Sequence, residues 1–279
     1  MKAWEDLGRS YTTQYEITGI LDLLNHAISV YRHGLELCPK DESQCTCLSG
    51  LASALQHCFE RTGSMVDLNE AMLMYRKTLS LRPTTHPDRS SSLSDLGTGL
   101  LNRFQRTGSM VDLEEAILMH CESLSLHPTP HTNCSISLNN LGIALVGHFT
   151  MTDSMTDLEE AILMHRESLS LHPTPHPHCS FSLNNLASAL SYRFGQTGLM
   201  ADLQEVILLH RESLSLQPLA SHPYHSSALY NLAKALQKHF RETGSMTDLE
   251  EAILLHHESL SFRPIPSDAT ARAGQFRLF

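Results

Sequence analysis

Residues 154–173 read Ser-Met-Thr-Asp-Leu-Glu-Glu-Ala-Ile-Leu-Met-His-Arg-Glu-Ser-Leu-Ser-Leu-His-Pro, and residues 109–128 repeat them with only Val111 for Thr156 and Cys121 for Arg166. A third close copy fills 245–264. In the 109–128 copy, Leu113, Ala116, Ile117, His120 and Leu124 fall at steps of 3, 1, 3 and 4. That is the period of one helix face. Ser109-x-x-Asp112 resembles a capping box opening the helix, and Glu114 and Glu115 sit in its first turn, where acidic groups favour the dipole. Pro128 closes it.

The copies extend over the whole chain. Ala27, Ala71, Ala116, Ala161, Val206 and Ala252 stand at one equivalent position, with successive spacings of 44, 45, 45, 45 and 46. The closing prolines Pro39, Pro83, Pro128, Pro173, Pro218 and Pro264 give the same five spacings. One residue is lost between Pro39 and Leu48 and one gained between Pro218 and Leu229, both in connecting loops, where length change is tolerated. Each unit also carries an earlier helix. In the third it is Leu93, Leu96, Gly97, Leu100 and Phe104, stopped by Thr107-Gly108, because glycine accepts the left-handed cap conformation.

Neither helix can bury its stripe alone, so stacked pairs are required. The expected fold is all-α: a solenoid, a right-handed superhelix, of six antiparallel helix pairs over residues 1–266. Its repeats run at about 1–39, 45–83, 90–128, 135–173, 180–218 and 226–264, and residues 267–279 form an irregular tail.

Composition narrows the function classes. Twenty Lys and Arg against thirty Asp and Glu give a net charge of −10, which argues against nucleic-acid partners held by phosphate contacts. Met1 is followed by Lys2, Ala3 and Trp4 with no apolar run, and no stretch reaches the roughly 18 apolar residues of a membrane span, so a cytoplasmic location is expected. Seven cysteines without framework spacing read as reduced thiols.

The first unit contains Trp4-x2-Leu7-Gly8-x2-Tyr11 and then Ala27-x3-Tyr31-x2-Gly34-x4-Pro39. This resembles the tetratricopeptide signature in the spacing within each helix. The unit is longer, 45 residues against roughly 34. In this length, and in Leu-Asn-Asn-Leu and Thr-Gly-Ser-Met-x-Asp-Leu, it resembles the repeat arrays of basidiomycete fungi that often precede a CHAT protease domain. No such domain is seen in this chain, so protease activity is not carried over. The last fifteen residues, Ile265 to Phe279, are a poor copy of another first helix. A regulatory or sensor fragment of a larger CHAT-protease or signalling NTPase system, working with a separately encoded effector domain, is therefore the alternative reading.

The resemblance implies that the first helices line a groove that takes an extended peptide or a partner surface. Carried over, the stripe is Ile136, Asn139, Asn140, Ile143 and Gly147 in the fourth unit; Phe181, Asn184, Asn185, Ser188 and Tyr192 in the fifth; Ser227, Tyr230, Asn231, Lys234 and Lys238 in the sixth. Asn140, Asn185 and Asn231 each precede a packing leucine, and an amide can pair with both the donor and the acceptor of a peptide backbone. The competing reading makes them helix-surface or inter-helix amides. The earlier units carry Asp6, Gly50 and Asp95 there, which confines the ladder to the C-terminal half. The Lys and Arg pattern of carboxylate-clamp grooves is not found.

Eighteen histidines form two groups. His120, His165, His210 and His256 replace the aromatic packing residues Tyr31 and Tyr75, and so read as half-buried aromatic substitutes. The loop set, with His131 and Cys134 in one loop and His176, His178 and Cys179 in the next, has donor types that suit zinc but no established ligand spacing, so metal binding is the weaker alternative. The Glu114-Glu115 pair and its copies read as solvated capping. With no phosphate loop, nucleophile elbow or zinc-protease motif, no catalytic residue and no cofactor is expected.

Overall fold

The structure, a computed structural model, describes residues 2–37, 44–126, 132–171, 179–216 and 225–262. Among these residues twelve helices alternate in six pairs: α1 (Lys2–Thr18) with α2 (Leu21–Leu37), α3 (Cys45–Thr62) with α4 (Met65–Leu81), α5 (Arg89–Thr107) with α6 (Met110–Ser125), α7 (Thr132–Thr152) with α8 (Met155–Ser170), α9 (Cys179–Thr197) with α10 (Met200–Ser215), and α11 (His225–Thr243) with α12 (Met246–Ser261). The all-α repeat fold is as expected. The helices gather into two compact units, Met1–Pro128 and Thr129–Phe279, holding α1–α6 and α7–α12. Within each unit a second helix packs on its own first helix and on the first helix that follows.

The corner of each pair is built from a few residues. Gly63, Gly108, Gly198 and Gly244 end their first helices with φ between 68° and 74°, and in the fourth pair Asp153 takes the same left-handed turn at φ 54°. The Gly108 N–H then closes on the Phe104 carbonyl at 2.7 Å. Ser109 and Ser154 accept the N–H of Asp112 and Asp157 at 3.4 Å, the half of the capping box that the sequence predicts.

Across the corner, nine residues apart, an arginine or a histidine grips that aspartate. Arg103 holds Asp112, His148 holds Asp157, Arg193 holds Asp202 and His239 holds Asp248. At the opposite end of the second to sixth pairs the first turn of one helix is clasped to the last turn of the other. Ser123 donates to the Ser90 carbonyl at 3.0 Å and Ser90 to the Ser123 carbonyl at 3.1 Å. Ser135 with Ser168 and Ser226 with Ser259 repeat this reciprocal pair. In the second pair Cys45 and Thr78 stand in for the serines. Each buried bond of this kind contributes about 1 kcal/mol net.

Between these ends lies a packed column, with leucines such as Leu93, Leu96, Leu100 and Leu113 wholly or almost wholly buried. Rings from the second helices press on small residues of the first. Tyr31 lies against Gly8 and Gly50, His120 against Gly97 and His165 against Gly142. His120, His165 and His210 are fully buried, beyond the half-burial expected; only His256 is half-buried.

A Cβ on Gly142 would stand 2.6 Å from the His165 ring. Alanine gains about 1 kcal/mol of helix propensity, but forcing a filled core apart costs about 1–3 kcal/mol. Gly142→Ala is therefore expected to lower stability by about 1–2 kcal/mol. Gly195, with nothing within 4 Å of its would-be Cβ, is the control. Gly195→Ala is expected to raise stability by up to about 1 kcal/mol, and urea melts of the two variants read the opposite signs.

Candidate functional site

In the second unit the first helices α7, α9 and α11 turn Leu141 and Gly142, Leu186 and Ala187, and Leu232 and Ala233 into the core. The residue before each leucine points about 100° away around the helix. On that side Ile136, Phe181, Tyr230 and Lys234 are exposed, while Asn139, Asn140, Asn184, Asn185, Tyr192 and Asn231 are half-buried. The row thus alternates apolar and aromatic surface with amides.

The asparagines divide into two sets. Asn185 donates to the Asn139 side chain at 3.0 Å, bridging the fourth and fifth pairs. Asn184 belongs to the interior: it donates to Ser213 at 2.9 Å and its oxygen faces Nδ1 of His210 at 3.0 Å. Asn140 and Asn231 stand half-exposed on the row. Tyr192 packs edge-on against Phe149, with ring centroids 5.7 Å apart. At the α11 end, Lys234 lies 5.6 Å from the Tyr230 ring and Lys238 only 4.3 Å from that of Phe194. Burial pushes the Lys238 ammonium down from its ordinary value, with Glu242 opposing and Lys234 assisting the shift.

At the positions equivalent to these asparagines the first unit carries Gly50 and Asp95. Gly50 lets the Tyr31 ring approach. Asp95 is exposed to solvent.

The buried histidines have no charged partner. Both ring nitrogens of His120 and Nδ1 of His165 are buried without a hydrogen bond, and burial alone takes His120, His165 and His210 down to about 4. Of the proposed metal ligands, Cys134 and Cys179 are buried in the first turns of α7 and α9; His131, His176 and His178 lie outside the described residues. Among the described residues no three His, Cys, Asp or Glu side chains gather as a metal would require.

The glutamates at the start of the second helices do more than cap. Glu70, Glu115, Glu205 and Glu251 each bind an arginine of the preceding second helix: Arg32, Arg76, Arg166 and Arg211, at 2.6–2.8 Å. Local sequence does not mark this ladder, because its partners stand in successive helix pairs, 38 to 40 residues apart.

The tetratricopeptide repeat family model matches residues 45–88 and 136–178. These two stretches carry tetratricopeptide repeats. No curated protein sequence matches the chain as a relative. Among solved structures it is similar to PilF of Pseudomonas aeruginosa, at 16% identity and a TM-score of 0.56 over 94% of this chain and 97% of that one. It is also similar to a chain of the APC/C hetero-tetramer Cut9-Hcn1, at 16% identity and a TM-score of 0.63, covering 98% of this chain but 42% of that one. YrrB, described as a tetratricopeptide protein with an unusual peptide-binding site, matches at 15% identity and a TM-score of 0.51 over 83% of this chain and 96% of that one. Identities at this level establish the shared tetratricopeptide-type fold alone.

Proposed function

We propose that this chain is a non-enzymatic protein-binding scaffold that holds an extended peptide or partner surface along the first helices of its second unit. The observation that carries the reading is the exposed row Ile136, Phe181 and Tyr230, interleaved with half-buried Asn140, Asn185 and Asn231. An extended segment could bury its apolar side chains on the rings while the amides take its backbone groups. Tetratricopeptide folds serve as interaction scaffolds, and YrrB is one described with a peptide-binding site. Five cysteines buried in the helices as thiols suit a reducing compartment such as the cytoplasm.

Peptides selected from a displayed random library against the full chain are expected to lose at least about tenfold in affinity for the Asn140→Ala/Asn185→Ala/Asn231→Ala variant, since each backbone bond is worth about 1 kcal/mol. Tyr230→Ala is expected to weaken them further. Selected peptides that bind both variants as they bind the parent chain sink the reading.

A further inference from the structure

The second unit sorts its charges by helix. Most of its carboxylates stand on the second helices α8, α10 and α12, whereas the first helices α7, α9 and α11 carry Arg193, Lys234, Lys238 and Arg241 against a single acid, Glu242. Among the described residues of this unit Arg166, Arg193 and Arg211 are each tied to carboxylates of the chain. Lys234, Lys238 and Arg241 enter no ion pair.

These three cations follow one another at steps of 4 and 3, on one face of α11. Lys234 and Arg241 are exposed and Lys238 is half-buried. What holds the two lysines is aromatic: the Lys234 ammonium lies 5.6 Å from the Tyr230 ring, and the Lys238 ammonium 4.3 Å from the ring of Phe194 on α9. A ring attracts an ammonium without neutralising it. The lysines are therefore fixed in place with their charge unanswered, on a chain whose net charge is −10. Burial, with Lys234 adding to it, makes that charge costly at Lys238.

The spacing says what would answer it. Lys234 and Lys238 are about 6 Å apart along the helix axis and Arg241 stands about 4.5 Å further on. Alternate side chains of an extended segment repeat at about 7 Å. A row of this length suits several side-chain carboxylates in sequence and is too long for one terminal carboxylate. We propose that the α11 face takes an acidic stretch of the partner segment, two or more Asp or Glu side chains at alternate positions, with the segment's apolar part over α7 and α9. The proposal rests on the groove reading and adds the partner's charge and its direction.

Peptides selected from a displayed random library against the full chain, with affinities read by fluorescence anisotropy, test it. Those selected on the parent chain are expected to carry alternate Asp or Glu, to lose about tenfold in affinity for Lys234→Gln/Lys238→Gln/Arg241→Gln, and to bind equally well when their C-terminus is amidated. Lys234→Glu/Arg241→Glu alters exposed side chains and leaves the Lys238 contact with Phe194 in place. Selection on that variant is expected to return Lys or Arg where the acid stood. Binders free of acid, acidic binders that ignore both variants or fail once amidated, or a selection that returns no binder overturns the proposal. So does a chain that binds phosphatidylserine vesicles through these cations in place of peptide. Acidic binders that need the α11 cations but not Asn140, Asn185 and Asn231 support it while removing the asparagine ladder.

Discussion

Taking the solution from pH 7 to pH 5 is expected to weaken the folded chain by about 2 kcal/mol for each of His120, His165 and His210. The three imidazoles are fully buried and held near 4 by burial, whereas a solvated imidazole in the unfolded chain titrates at 6.5. With the folded value below the unfolded one, the contribution is whole above about pH 6.5 and is lost progressively as the pH falls towards 4. The unfolded chain takes up protons that the folded chain refuses.

The loss is uneven. The second unit holds His165 and His210, while the first holds only His120 of the three. The second unit, carrying the proposed groove, is therefore expected to melt first in acid. Urea titrations followed by circular dichroism at the two pH values measure this. His165→Phe, neutral at every pH, should shrink the difference between them by about a third even if it lowers stability at both. Equal midpoints at pH 7 and pH 5 would show that the imidazoles are not shielded as described.

The fold was legible because two anchor series, one alanine and one proline, share their spacings, and because the helix faces follow a simple period. Glycine stops and serine caps were legible for the same reason: their chemistry is local. What escaped is long-range. Ser90 and Ser123 are ordinary polar residues until two helices bring them within 3.0 Å, and nothing local marks Arg166 as the partner of Glu205. A constant separation of 33 residues between the clasped serines was the available signal. In the candidate groove, exposure of the aromatic positions follows from the helix wheel. The fate of each amide does not: Asn184 and Asn185 are neighbours, yet the first turns to His210 and Ser213 and the second to Asn139. That choice depends on small rotations of packed helices, which periodicity cannot resolve.

Arg193→Ala is expected to cost about 3 kcal/mol, the largest loss from any single truncation at a helix corner. Arg193 donates Nε and Nη2 to the two oxygens of Asp202 at 2.9 and 2.7 Å and reaches Glu159 with Nη1 at 2.7 Å. The hydrogen bonds to Asp202 hold the guanidinium well above its ordinary value. The side chain of Asp202 is only 3% exposed, so removing the arginine strands a carboxylate out of water, relieved only in part by the start of α10. The four corners show why an imidazole is not enough there. Aspartates held by arginine, Asp112 and Asp202, are 6% and 3% exposed; those held by histidine, Asp157 and Asp248, are 21% and 19% exposed. A guanidinium is charged at every accessible pH and can sustain a buried carboxylate, whereas an imidazole serves where water still shares the work. Arg193→His should accordingly fall between the parent and Arg193→Ala. Adding Asp202→Asn to Arg193→Ala should recover about half the loss, because it removes the stranded charge and keeps the shape. Urea midpoints that rank the three variants otherwise would mean that the corner is held by packing and that the ion pair is incidental.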